Sequence, residues 1–165
     1  MYSWGAGSYG ALGFGRNDDE DKPRRLDIMD HQQQTYRVTR ICCGKFHSIC
    51  LTSRQNIFTW GQGSNGRLGH DNEEDQLKPK EIYTLSQRKP KFIAAGESHS
   101  AAITEKSNLF TWGNGGFGRL GHGHDIKECS PKMVEQLADV ALVSVSCGSF
   151  HTLAVAESGA VYSFG

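Results

Sequence analysis

Short apolar stretches, four to six residues long and rich in β-branched and aromatic side chains, recur along the whole chain between runs of Gly, Pro, Asp and Ser. Such segments read as strands bounded by turns. Four are expected per unit. A short strand follows a proline (RRLDI, KEIY, KMVE), and VTRICC, KFIAA and LVSVSC come next. HSICLT, HSAAIT and HTLAVA form the third, and IFTW, LFTW and VYSF the last. Side chains along a strand point alternately to its two faces. In the third strand one face is small in every unit: Ser48 and Cys50, Ser100 and Ala102, Thr152 and Ala154. The other carries Ile49 and Leu51, Ala101 and Ile103, Leu153 and Val155. A sheet covered on both sides by copies of itself has that requirement, with one face flush against a neighbour and the other filling a core.

Three markers keep the units in register. Trp4, Trp60 and Trp112, with Phe164 in the same phase, are separated by 56, 52 and 52 residues. Pro23, Pro79 and Pro131 each follow their Trp by 19, and His47, His99 and His151 close a Gly-x-x-His element at intervals of 52. The four extra residues of the first unit therefore fall between Pro23 and His47, in DIMDHQQQTYR. The chain divides into repeats at 2–57, 58–109 and 110–161, with 162–165 opening the next phase, all within one segment, 1–165. The expected fold is all-β, a partial β-propeller of about three four-stranded blades. Its period exceeds the roughly 40 to 45 residues of WD-type blades.

FTWGQGSNGRLGH, at 58–70, carries the G-x-G-x-x-G spacing of a dinucleotide-binding turn. The same spacing returns in YSWGAGSYGALGFG and FTWGNGGFGRLGHG. One chain does not need three cofactor loops. After each, a polar run with a proline would end any helix before its N-terminus could meet a phosphate. These glycines read instead as turn residues, needing positive φ or close backbone approach, in a turn that leaves one blade for the next. No cofactor is expected.

Composition narrows the classes further. Eighteen Lys and Arg balance eighteen Asp and Glu, which gives no charge argument for nucleic acid or an anionic membrane. Five cysteines without a C-x-x-C pair suit reduced thiols in the cytosol or nucleus. No apolar run is long enough to span a bilayer.

The obvious candidates for chemistry each have a structural explanation. His47, His99 and His151 could ring an axis around a metal. Equivalent atoms on adjacent blades, however, would lie farther apart than the roughly 4 Å that two zinc ligands span. Each imidazole is expected instead to satisfy backbone groups at its tight turn, with Gly44, Gly96 and Gly148. Cys43, His47 and Cys50 correspond to Ala95, His99 and Ala102, and then to Cys147, His151 and Ala154. Cysteine trading with alanine behaves as a small buried residue, so neither a thiol nucleophile nor a metal site is expected. The tryptophans are expected to anchor blade cores.

The pattern W-G-x-G-x-x-G-x-L-G, a proline, then (C/A)-G-x-x-H-(S/T) resembles the regulator of chromosome condensation repeat family over essentially the whole chain. The resemblance implies a ring of about seven blades, of which this chain is a segment. Its apolar end faces would be covered by a longer chain or by self-association. The plant ultraviolet photoreceptors similar to this family place a Trp after the repeat glycine. Lys45, Glu97 and Ser149 stand there in this chain, so light sensing is not supported. Loops on a rigid scaffold collect binding residues. Here the loops between the Leu-Gly turn and the proline differ in each unit, and Asn17, Asp18, Asp19, Asp71, Asn72, Glu73, His124 and Asp125 are the partner-binding candidates. The expected function is protein docking and scaffolding. The alternative that the family implies is nucleotide exchange on a Ran-like small GTPase, and a third is the partner-binding propeller of a ubiquitin ligase. The segment itself is not expected to be an enzyme.

Overall fold

The computed structural model describes residues 1–30 and 32–165. Among the described residues thirteen strands follow one another: β1 (Tyr2–Gly5), β2 (Glu20–Arg25), β3 (Val38–Cys43), β4 (His47–Thr52), β5 (Ile57–Gly61), β6 (Gln76–Glu81) and β7 (Pro90–Ala95), then β8 (His99–Thr104), β9 (Leu109–Gly113), β10 (Glu128–Met133), β11 (Leu142–Cys147), β12 (Thr152–Ala156) and β13 (Val161–Phe164). They form four antiparallel sheets. β3-β4-β5-β6 and β7-β8-β9-β10 are four-stranded meanders, flanked by the pair β1-β2 and the three-stranded β11-β12-β13. The chain is thus an all-β propeller segment in which the two middle blades are complete.

Sequence and structure differ at the proline. The strand that should follow it instead contains it. Pro79 lies inside β6, which pairs with the preceding Trp strand, β5. Thr59 faces Lys80 and Gly61 faces Gln76, so Trp60 alone opposes Leu77, Lys78 and Pro79. The same bulge sets Trp4 against Asp21, Lys22 and Pro23, and Trp112 against Cys129, Ser130 and Pro131. Proline lacks a ladder donor and belongs at a bulge on an edge strand, and β6 and β10 are both edge strands. The glycine turn therefore returns the chain to the outer strand of its own blade. Passage to the next blade happens farther on, through 82–89, where the short helix α1 (Tyr83–Ser86) sits, and through 134–141.

Two positions show why this turn is glycine-rich. A Cβ on Gly63 would run into the backbone oxygen of Glu74, the residue that brings the loop back. Gly66 has φ +72, and its Cβ would stand 2.5 Å from the Cα of Cys129, in the outer strand of the next blade. The first is a close approach and the second a left-handed position.

Alternation of large and small along the middle strand builds the core. Ile49, Leu51 and Ile57, with Ile82 and Leu85 from the connection, pack on Ala102, Ile93, Phe110 and Trp112 of the following blade. Ala101, Ile103 and Leu109 pack in turn on Ala154 and Val145. Each fully buried Ile or Leu contributes about 1.5–3 kcal/mol. At the two ends this ceases: Tyr2 is 62 % and Trp4 58 % exposed, and Leu153 38 % and Val161 64 %.

Loops β3-β4 and β5-β6 leave one end of a meander, while β4-β5 and the connections to the next blade leave the other. The glycine turns and the Gly-x-x-His turns thus share one rim. The extra residues of the first unit lie on the opposite rim, where Met29 bridges Thr35 and the Asp30 carboxylate accepts the N–H groups of Gln32 and Gln34. His31 of that stretch lies outside the described residues.

Candidate docking rim and the joints behind it

Two of the loops bearing the sequence candidates are braced at their bases. Asp19 Oδ1 accepts the Gly7 N–H at 2.8 Å, and Asp75 Oδ1 accepts the Gly63 N–H at 2.8 Å in the next unit. Glu73 accepts the Asn65 N–H at 2.7 Å and pairs with Lys127 of the following unit, which holds its carboxyl below the usual range. Asp71 accepts from Ser130 Oγ at 3.2 Å, and Asn72 closes a local turn by accepting the Glu74 N–H at 3.0 Å. His124 accepts the Ile126 N–H at 3.3 Å. Asp19, Glu73, Asp71 and Asn72 therefore shape loops. Asn17, Asp18 and Asp125 crown them in solvent, with Asp18 3.4 Å from the Arg16 guanidinium.

Behind the rim lies a joint that corrects the expected role of the histidines. His47 is buried, and its Nε2 meets Ser100 Oγ of the next blade at 2.9 Å. Ser100 Oγ donates to the Arg67 carbonyl at 2.9 Å, so its lone pair is what faces the ring, and Nε2 must carry the proton. His99 repeats the arrangement with Thr152 Oγ1 at 2.9 Å, which donates to the Arg119 carbonyl at 2.8 Å. The imidazoles therefore link successive blades rather than satisfying their own turns. Burial, aided by the nearby Arg67 charge, lowers the His47 pKa to about 3; burial and Arg119 lower that of His99 to about 4. Both rings are neutral near pH 7. His151, on the last sheet, is exposed. Gly44 and Gly96 are glycine because a Cβ there would strike the ring of His47 or His99.

Trp60 and Trp112 are buried, and Trp60 Nε1 donates to the Ala11 carbonyl at 2.9 Å. Trp4 departs from the expected anchoring role. Buried Trp60 and Trp112 each lie against the Leu-Gly turn of the unit before, at Gly13 and Gly69, and the described chain offers Trp4 no earlier turn. Cys50 is fully buried and its thiol is pushed up to about 12 by burial, whereas Cys43 is exposed. All five cysteines are free, and among the described residues no group of three or more His, Cys, Asp and Glu could hold a metal.

Several contributors went unrecognised in sequence. Arg67 and Arg119 are only 5 % and 3 % exposed. Arg119 donates to the Gly116 and Ser149 carbonyls, at 2.8 and 2.9 Å, and its guanidinium lies 5.0 Å from the Phe150 ring. The signal was an arginine repeating in register in GRLG, a turn where charge is ordinarily solvated. Tyr9, Asn65 and Phe117 share a left-handed backbone, with φ of 58°, 61° and 62°. Two of these are aromatic, and each meets an aromatic from the next Gly-x-x-His turn: Tyr9 lies 5.4 Å from Phe46, and Phe117 lies 5.5 Å from Phe150. Phe117 is 70 % exposed. Near the inner strands, Lys45 Nζ donates to Glu97 Oε1 at 2.9 Å.

Meanders repeated in register, dovetailed large against small and joined by imidazole-hydroxyl links, define a β-propeller segment of the repeat type. The model described as Regulator of chromosome condensation (RCC1) repeat matches residues 1–51, 56–103 and 106–155, and the chain belongs to that family. Among curated relatives, the human E3 ubiquitin-protein ligase HERC2 is 35 % identical over all of this chain, which covers 4 % of its length. The Ultraviolet-B receptor UVR8 of Arabidopsis thaliana is also 35 % identical over all of this chain, covering 37 % of the receptor. The chain thus spans well under half of these relatives. Human WBSCR16 shares the fold with a TM-score of 0.86 at 22 % identity, over 99 % of this chain and 42 % of that one. Yeast RCC1 (Prp20), solved bound to Kap60, gives 0.78 at 25 % identity over 98 % of this chain and 38 % of that one.

Proposed function

We propose that this segment docks a protein partner on the rim formed by its glycine-turn loops. The observation that carries the reading is the contrast between loop base and loop crown. In the first two units the base is fixed by a carboxylate that accepts the Gly7 or Gly63 N–H, while Asn17, Asp18 and Asp125 and the aromatics Tyr9 and Phe117 are exposed and differ between units. A fixed base with a varied crown suits recognition, because little ordering entropy is lost on binding. Loops 16–22, 70–78 and 122–130 carry ten carboxylates against four Lys and Arg in a chain that is neutral overall, which favours a basic partner surface. A reducing intracellular compartment fits the free thiols.

Nucleotide exchange on a small GTPase is the second reading. Membership of the family is what suggests it, while the first connection is longer by only four residues, which is little material for a wedge. In the ligase reading, the same surface selects partners for a larger protein. Affinity capture with the intact chain, with and without Mg²⁺ chelation to strip nucleotide, separates these. Retention independent of nucleotide and lost on Asp18→Lys with Asp125→Lys supports docking. A GTPase held only when stripped and released by GTP replaces it with exchange.

A further inference from the structure

Charges that cancel over the whole chain are sorted between its two rims. The glycine-turn loops are acidic. The opposite rim of the two complete blades carries Arg37, Arg54, Arg88, Lys89, Lys91 and Lys106, with Glu105 as the one carboxylate within 53–56, 82–91 and 105–108. Backbone bonds set these cations side by side. The Ser53 N–H donates to the Arg37 carbonyl at 2.8 Å and the Glu105 N–H to the Lys89 carbonyl at 2.9 Å, so each hairpin turn stands beside the start of its inner strand. Arg54 thus adjoins Arg37, and Lys106 adjoins Lys89. The Gln55 side-chain amide donates to Glu105 of the next blade, which joins the two pairs into one patch. In the third unit the Glu157 N–H bonds likewise to Ala141, but Ser158 takes the place of the cation and Glu135 and Asp139 lie in the connection. The patch ends there.

Several of the cations are held ready. The Arg54 guanidinium lies 5.3 Å from the Tyr36 ring and 3.9 Å from the Asp30 carboxylate, that of Arg88 lies 5.1 Å from the Phe110 ring, and Lys91 Nζ donates to Ser107 Oγ at 3.2 Å. Stacking on a ring fixes a guanidinium while leaving its N–H groups to an incoming carboxylate. Among the described residues Arg37, Arg88 and Lys106 pair with no carboxylate. Arg88, Lys89, Glu105 and Lys106, with Thr104 and Asn108, line a cleft of about 470 Å³. Lys89 adds a backbone signal. Its φ is 49°, in the left-handed region, and a proline follows it, which restricts it further. A lysine kept where glycine or asparagine is less strained points to a use for its charge.

An apolar groove adjoins the patch. The connection that bears Arg88 and Lys89 also bears exposed Tyr83, which with Met29, Leu77 and Phe58 lines a groove of about 520 Å³.

We propose that this rim binds an acidic, extended peptide segment of another protein. Its carboxylates lie in the cleft against Arg88, Lys89 and Lys106 and across to Arg54 and Arg37, and an apolar side chain enters the groove beside Tyr83. A nucleic acid fits the site less well, because Glu105 sits among the cations, the carboxylates of the third unit cut the basic track short, and a phosphate backbone gains nothing from the groove. The site is separate from the acidic glycine-turn rim, so the chain carries two docking surfaces of opposite charge.

Fluorescence anisotropy tests this with the full chain and a labelled peptide of Asp and Glu with one central Phe, near physiological ionic strength. Binding should saturate and should weaken as salt is added. Arg88→Gln and Lys106→Gln should each weaken it about 2- to 5-fold, and Lys89→Glu with Lys106→Glu roughly tenfold or more. Glu105→Gln should tighten it about 2- to 5-fold, a gain that damage to the surface does not produce. Lys89→Gly should weaken binding without lowering the melting temperature, since glycine relieves the left-handed strain. Asp18→Lys with Asp125→Lys, on the other rim, should leave the affinity unchanged, so that each docking surface succeeds or fails by itself. A probe with Ser in place of Phe should bind more weakly. Thermal melts of each variant confirm that the blades remain folded. No saturable binding, equal affinity for the Lys89→Glu and Lys106→Glu double variant, or equally tight binding of a single-stranded oligonucleotide of the same charge overturns the proposal.

Discussion

Replacing Ser100 by alanine removes one small hydroxyl and breaks two buried hydrogen bonds. His47 Nε2–H loses its acceptor at 2.9 Å and the Arg67 carbonyl loses its donor at 2.9 Å, both in the joint between the middle blades. Leaving a buried polar group unpaired costs about 1–3 kcal/mol. His47 Nδ1 already lacks a partner, so the ring cannot recover the loss by turning over. The expected destabilisation is roughly 2–4 kcal/mol. Ser48→Ala is the matched control, since that hydroxyl makes only the bond to Ala11, in a part-buried setting, and about 1 kcal/mol should be lost. Urea unfolding followed by the fluorescence of buried Trp60 and Trp112 measures both, in monomeric conditions and with m-values compared. Equal losses for the two variants, or less than about 1 kcal/mol for Ser100→Ala, would show that the imidazole-hydroxyl link does not hold the blades.

Stability should also fall with acid. His47 and His99 titrate at about 3 and about 4 when folded, below the unfolded value of 6.5, so the unfolded chain binds their protons first. Their stabilisation is complete above about pH 6.5 and declines by roughly 1.4 kcal/mol per pH unit for each ring until the folded pKa is reached. Urea midpoints between pH 7 and 4 should show this slope, and His47→Gln with His99→Gln should flatten it. Gly66 and Gly118 have the same φ, +72 and +73, yet a Cβ meets Cys129 only at Gly66. Gly66→Ala should accordingly lower the melting temperature far more than Gly118→Ala, whose cost should stay near 1 kcal/mol, and equal shifts would refute the steric account. Ala102→Leu should cost about 1–3 kcal/mol by overfilling the core with Ile49 and Leu51, read from the same urea curves. A thiol reagent should modify exposed Cys43 rapidly and buried Cys50 only on unfolding, as mass spectrometry of digested samples would reveal.

Much of the architecture was legible in sequence because alternation and period are set by local geometry. β3, β4, β8, β11 and β13 begin and end where the alternation of side chains does. The Pro-containing strands were misplaced for a physical reason: a bulge sets one residue against three, and the proline inside it has no local signature distinguishing strand from turn. The histidine joints were hidden because the partner lies 53 residues away, in the next blade. Spacing identified the rings but not what their nitrogens touch. The loop candidates illustrate the same limit. Asp18 and Asp19 are chemically alike in sequence, yet one crowns its loop and the other is held by the N–H of Gly7.

The bulky face of each middle strand always meets the small face of the next, and this gives the array a sense of direction. A blade inserted backwards would set Ile against Ile on one side and Ala against Ala on the other. Whole units can therefore be duplicated or deleted in tandem without redesigning any interior, because every seam presents the same two halves. Gene-level growth and shrinkage of such an array is limited by the closure of the ring and not by the core of any blade.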